Sequence, residues 1–138
     1  MIIPCGAAKL DRPAPARDLY TGAMFKHTLA AALAEAQAVG GRVLVLSALY
    51  GLVELDQVLA PYDLRMGQPG CVTAPVVARQ AQALGIGQGS EVYAMLPGAY
   101  YRVLSDALQP IYVYPQDVYE ATAGIGEQRK VNRLVNQP

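Results

Sequence analysis

The sequence has no tryptophan, one phenylalanine, one histidine and two cysteines in 138 residues. Cys5 and Cys71 stand far apart and in no Cys-x-x-Cys spacing, which removes both a zinc site and a disulfide framework. Charged residues are also scarce, at 16%, and acids and bases balance to a net charge of zero. A neutral chain lays down no global footprint for nucleic acid, so such binding needs a local patch or a base-reading pocket. No apolar run approaches the roughly 18 residues of a membrane span, and Met1-Ile2-Ile3-Pro4 has neither the basic nor the apolar segment of a secretory signal. These absences make a cytoplasmic protein with no membrane partner the expectation.

What the chain has in quantity is apolar residues, 53%, which argue for a compact, heavily buried fold rather than disorder. Its length fits one domain over residues 1–138. So much apolar surface is hard to hide in a small domain, and a homodimer is expected. Tyrosine is the other excess, nine residues, and such amphipathic rings suit a polar pocket or a stacking surface.

The Val-rich run Val43-Leu44-Val45-Leu46, ending in Ser47-Ala48, reads as a strand buried on both faces, and the chain leaves it through Tyr50-Gly51. Ile2–Cys5 reads as a first strand. A helix over Thr21–Val39 follows, with Phe25, Leu29, Ala32, Leu33 and Ala36 inward, Thr21 as cap and Gly40-Gly41 as stop. Arg42–Ser47 is then parallel to the first strand, because a helix-length crossover separates them. Val53–Gly70, punctuated by Pro61, Gly67 and Pro69, reads as irregular. Further elements are a helix over Thr73–Leu84, a strand over Glu91–Leu96, a helix over Tyr100–Leu108, a strand over Ile111–Tyr114 and a last helix over Gly126–Asn136. The expected architecture is a single-domain α/β three-layer sandwich with a mostly parallel sheet of about four strands.

In a parallel sheet the loops after Cys5, Ser47, Leu96 and Tyr114 leave at one edge, where their polar residues can meet. The first loop supplies Cys5, Gly6, Lys9, Asp11 and Tyr20. The second supplies Tyr50, Gly51, Glu54, Asp56, Tyr62 and Asp63, and the third Pro97, Gly98 and Tyr100. A thiol, an ammonium, carboxylates and phenols together can stack on and hydrogen-bond a nucleobase, or run acid–base chemistry. Each has an ordinary alternative. Cys5 also fits a small buried hydrophobe, Lys9 a solvated loop charge, and Tyr50-Gly51 a plain turn. His27 lies about 200° around the helix from Phe25 and reads as a surface residue. Gly85-Ile86-Gly87-Gln88-Gly89 precedes a strand instead of following one and reads as a helix stop rather than a phosphate loop. Arg129, Lys130 and Arg133 read as the wet face of the last helix.

Ser47-Ala48-Leu49-Tyr50-Gly51, then Leu55-Asp56, then Pro61-Tyr62-Asp63-Leu64-Arg65-Met66 resemble the signature of the YaaA peroxide-stress family: Ser-x-x-Tyr-Gly, Leu-Asp and Pro-Tyr-x-Leu-x-Met. The short frame, opening Ile3-Pro4-Cys5-Gly6-Ala7-Ala8-Lys9 and closing near Gly124-Ile125-Gly126, is more similar to an uncharacterised YaaA-like domain of phages and bacteria. Its Pro-Cys-x-x-x-Lys opening also resembles the lysine-transferring domain of archaeosine synthases, grouped by fold with uracil-DNA glycosylases. The resemblance implies an α/β fold and a link to nucleic acid or nucleobases. By position it marks Lys9, Ser47, Tyr50, Gly51, Asp56, Pro61, Tyr62 and Met66. The resulting expectation is an enzyme that binds a nucleobase, nucleoside or nucleotide and cleaves or transfers at a C–N bond. In it Tyr50 or Tyr62 stacks on the base and Lys9 holds an anionic group. Glu54, Asp56 or Asp63 activates water, and Cys5 is the alternative nucleophile. No cofactor or metal is called for. The rival expectation is a non-catalytic protein that binds DNA, single strands included, or sequesters a nucleotide.

Overall fold

The structure is a computed structural model, and it describes residues 1–118. The expected last helix, with Arg129, Lys130 and Arg133, lies outside the described residues. Strand β1 (Ile2–Pro4) leads through a short β2 (Ala14–Pro15) and α1 (Ala16–Leu19) into α2 (Ala23–Val39). Then come β3 (Leu44–Ser47), β4 (Gly51–Glu54), β5 (Val58–Leu59), α3 (Ala74–Ala83), β6 (Tyr93–Ala94), α4 (Gly98–Leu108) and β7 (Gln116–Asp117).

The sheet has five strands in the order β4-β3-β1-β6-β7, and it is parallel except at β4. Ile2 sits opposite both Leu44 and Ala94, so the C-terminal ends of β1, β3 and β6 reach the same edge. Alternate residues feed two cores. Ile2, Leu44, Leu46, Leu52, Ala94 and Leu96 pack with Val77 and Ala81 of α3 and Leu104 and Leu108 of α4. Ile3, Val45, Val53 and Met95 pack with Leu19 of α1 and Phe25, Ala32 and Ala36 of α2. Each fully buried Leu, Ile or Val contributes about 1.5–3 kcal/mol. A one-residue slip of β1 would exchange its two faces, and the pattern therefore holds the register.

Four expectations are corrected. The sheet has five strands, not about four, because Val53 and Glu54, read as the start of an irregular stretch, belong to β4, antiparallel to β3. β5 then pairs with β2 in a small ribbon of its own. The strand expected over Ile111–Tyr114 is instead a 3₁₀ turn, Gln109–Ile111, ending in Tyr112 at φ +60°, with the strand at Gln116–Asp117. Pro110 withholds a ladder N–H, and a left-handed Tyr112 breaks the extended run. The buried face of α2 is Phe25, Thr28, Ala31, Ala32 and Ala36, while Leu33 stays exposed: small residues let the helix settle close against the sheet. His27 is half-buried, and its Nε2 is enclosed with no hydrogen-bond partner among the described residues.

Candidate functional site at the C-terminal sheet edge

Cys5 follows β1 directly, and its N–H donates to the Leu46 carbonyl at 3.2 Å, which puts it level with Ser47 at the end of β3. The chain then doubles back. Residues 8–10 run antiparallel to 19–21, held by Leu10 N–H to the Leu19 carbonyl (2.9 Å) and Thr21 N–H to the Ala8 carbonyl (3.0 Å). This pairing places Lys9 beside Tyr20, and Gly6 lies against the Cβ atoms of Phe25 and Tyr20.

Ser47 is fully buried and organises the β3–β4 turn. Its Oγ accepts from Leu49 N–H (3.2 Å) and Tyr50 N–H (3.0 Å) and lies 2.7 Å from Tyr62 Oη. Two amide donors fill the acceptor capacity of that hydroxyl, so its proton is given to Tyr62. Tyr62 Oη is also 2.7 Å from Tyr20 Oη, and the Tyr20 and Tyr50 rings both meet the Tyr62 ring edge-on. The Lys9 ammonium stands 4.3 Å from the Tyr62 ring centroid and donates to the Ala7 carbonyl at 3.1 Å. Across the gap, in the first turn of α4 after the Pro97-Gly98 corner, the Tyr100 hydroxyl is 3.2 Å from Cys5 Sγ.

Burial raises the Tyr20 phenol to about 12. Burial also pushes the Tyr62 and Tyr100 phenols well above the ordinary phenol value, with the neighbouring Cys5 contributing in both. All three are neutral at physiological pH: they offer hydrogen bonds, not a base. Lys9 supplies the positive charge of the cluster.

The sheet's helices add to that charge. α2, α3 and α4 all begin at this edge, since each follows or precedes a parallel strand ending there. None has a side-chain cap, and none carries an acid in its first turn. Three N-terminal turns with free N–H groups, each equivalent to about half a positive charge, therefore face one edge without the usual compensation.

The structure brings together Cys5, Gly6, Lys9, Tyr20, Ser47, Tyr50, Gly51, Tyr62, Pro97, Gly98 and Tyr100 at this edge. Three carboxylates stand away from it. Glu54 is opposite Leu44 at the start of β3, 3.7 Å from Arg42, because β4 carries the chain back down the sheet. Asp56 pairs with Arg17 at 3.1 Å and Asp11 with Arg12 at 3.5 Å, both in solvent. Asp63 is exposed beside Tyr62. Among the described residues no three His, Cys, Asp or Glu side chains converge as metal ligands.

Gln80 escaped the sequence analysis. Its Oε1 accepts from Leu52 N–H (2.8 Å) and its Nε2 donates to the Tyr50 carbonyl (2.8 Å), clasping the turn from α3 on both sides of Gly51. The one signal in the sequence is a polar residue three positions after Val77, on the apolar face of its helix.

Compared with known proteins, residues 1–132 match the model of a family of unknown function, DUF6884. No curated protein matches the chain.

Proposed function

From the premise that the chain belongs to the DUF6884 family, whose function is unknown, we propose that it is a nucleobase- or nucleotide-binding protein that acts at a C–N bond. The observation that carries this reading is Lys9 set among neutral phenols at the sheet edge where three uncapped helices begin. Such an edge suits a ligand with an anionic group and a planar one. Lys9 takes the phosphate: its cation–π contact with Tyr62 is worth about 0.5–2 kcal/mol, and a charge-assisted hydrogen bond competes well with it. Because Lys9 covers a face of Tyr62, the stacking role passes to Tyr50. The resemblance to YaaA-like proteins supports the same ligand class.

Of the three carboxylates expected to activate water, Glu54 and Asp56 are lost to their positions, and Asp63 is exposed to solvent. The thiol takes the chemical role. Cys5 Sγ attacks the carbon of the glycosidic bond, the S–C bond forms as the C–N bond breaks, and the base leaves with the bonding pair. The thiol proton passes through the Tyr100 hydroxyl to that base, and water later releases the sugar and restores the thiol. The rival reading, a protein that sequesters a nucleotide or single-stranded DNA unchanged, is favoured by the same carboxylate placement. In either case we read the chain as a cytoplasmic, single-domain three-layer sandwich, supported by its two cores on alternate faces of the strands.

Wild-type protein and Cys5→Ser are incubated with nucleosides, nucleotides and short single-stranded DNA, and bound and product masses are read. Free base from the wild type alone, with a sugar adduct on Cys5, supports the enzyme. Ligand bound by both and recovered intact supports the rival. Association with no member of the panel contradicts both.

A further inference from the structure

The opposite sheet edge, where the parallel strands begin, has the reverse electrostatic sense. α2 and α3 end there, and neither has a basic residue in its last turn. Between those helix ends and the starts of β1, β3 and β6 opens a cavity of about 490 Å³. That size lies within the roughly 300–1,000 Å³ usual for small-molecule sites. Val39, Ile86 and Val92 give it apolar walls, and Glu35 and Glu91 stand in its lining.

Neither carboxylate is in an ion pair with a described residue. Two cations share the lining, Arg42 and the Met1 ammonium. Arg42 donates to the Leu84 carbonyl and pairs with Glu54, so it closes the end of α3 and the foot of the hairpin. The half-buried Met1 ammonium donates to the Arg42 carbonyl at 3.0 Å. With Arg42 answered by Glu54 and closing the end of α3, the two carboxylates and the α2 C-terminus, the latter equivalent to about half a negative charge, outweigh the Met1 ammonium.

We propose that this cavity is a second binding site, separate from the phenol edge, and that it takes a small organic cation: a protonated amine carried on an apolar body. The ammonium lies between Glu35 and Glu91, and the hydrocarbon fills the space against Val39, Ile86 and Val92. A bare inorganic cation leaves those walls unused. A nucleotide is repelled, so the two edges of the sheet select ligands of opposite charge.

The test is titration of the full-length, ¹⁵N-labelled protein with hexylammonium, with hexanoate and hexanol as controls of equal length. The expected result is saturable movement of the Gly41, Ile86, Ser90 and Glu91 amide signals with hexylammonium, none with hexanoate, and none at Ser47 or Tyr50. Both carboxylates are exposed, and Glu35→Gln/Glu91→Gln leaves the fold intact while weakening the amine about tenfold. An equal response to hexanoate, no saturable movement at these amides, or undiminished binding by the double variant overturns the proposal.

Discussion

At Gly51 backbone and side-chain constraints coincide. Its φ of +78° belongs to glycine, and a Cβ there would run into the Gln80 side-chain amide that clasps the turn. Gly51→Ala is expected to cost more than about 2 kcal/mol, combining left-handed strain with a displaced hydrogen-bonding partner. Gln80→Ala alone costs about 1–2 kcal/mol for two lost hydrogen bonds. The double variant is then less destabilised than the sum, because the obstructed group is gone. Denaturant melts of the four proteins check this, and strict additivity would contradict the close contact. The phenols make a second prediction. Burial raises Tyr20 to about 12 in the fold, whereas an unfolded phenol ionises at about 10. The folded state therefore holds its proton longer: this stabilisation is complete below about pH 10 and is lost as pH rises through about 12. Tyr62 and Tyr100 act in the same direction. Spectrophotometric titration with parallel circular dichroism should show part of the phenolate signal arriving only as the fold is lost. Reversible ionisation of all nine tyrosines near pH 10 in an intact fold would contradict it.

Among the elements, the short turn after α4 holds an unfavourable residue. Tyr112 ends it at φ +60° with its side chain mostly in solvent, so Tyr112→Gly gives up little packing and is expected to stabilise the protein by about 1 kcal/mol. A lower melting midpoint for that variant would show the ring to be doing more. The long helices and the order of β1, α2 and β3 were legible in the sequence, since Gly40 and the Val-rich run are strong local signals. β4 was not. Leu52 and Val53 look like the start of a loop unless one knows that Gly51 turns left-handed and that Gln80, nearly thirty residues on, holds it there. That hairpin also decides the site: Ser47, Tyr50 and Tyr62 were legible as neighbours of a strand end, but β4 carries Glu54, and the turn after it Asp56, away from them. Glu54→Ala and Asp56→Ala are accordingly expected to leave ligand affinity within about twofold of wild type, which equilibrium binding of each variant checks.

For the whole molecule, a net charge of zero conceals a separation of charge along the strand axis. Parallel strands with helical crossovers point every long helix the same way, so N-termini gather with Lys9 at one edge and C-termini with Glu35 and Glu91 at the other, where Arg42 and the Met1 ammonium also lie. No aromatic excess or charge count reveals this, because it comes from topology and from the absence of compensating end residues in all three long helices. The central claim is that the Lys9 edge binds the anionic group of a nucleotide. Native mass spectrometry of wild type and Lys9→Ala, each with a nucleoside monophosphate and its parent nucleoside, tests it most directly. Wild type is expected to retain the monophosphate over the nucleoside by about tenfold or more, and Lys9→Ala to lose that preference. Equal retention of the two ligands by wild type, or an unchanged preference without Lys9, would contradict it.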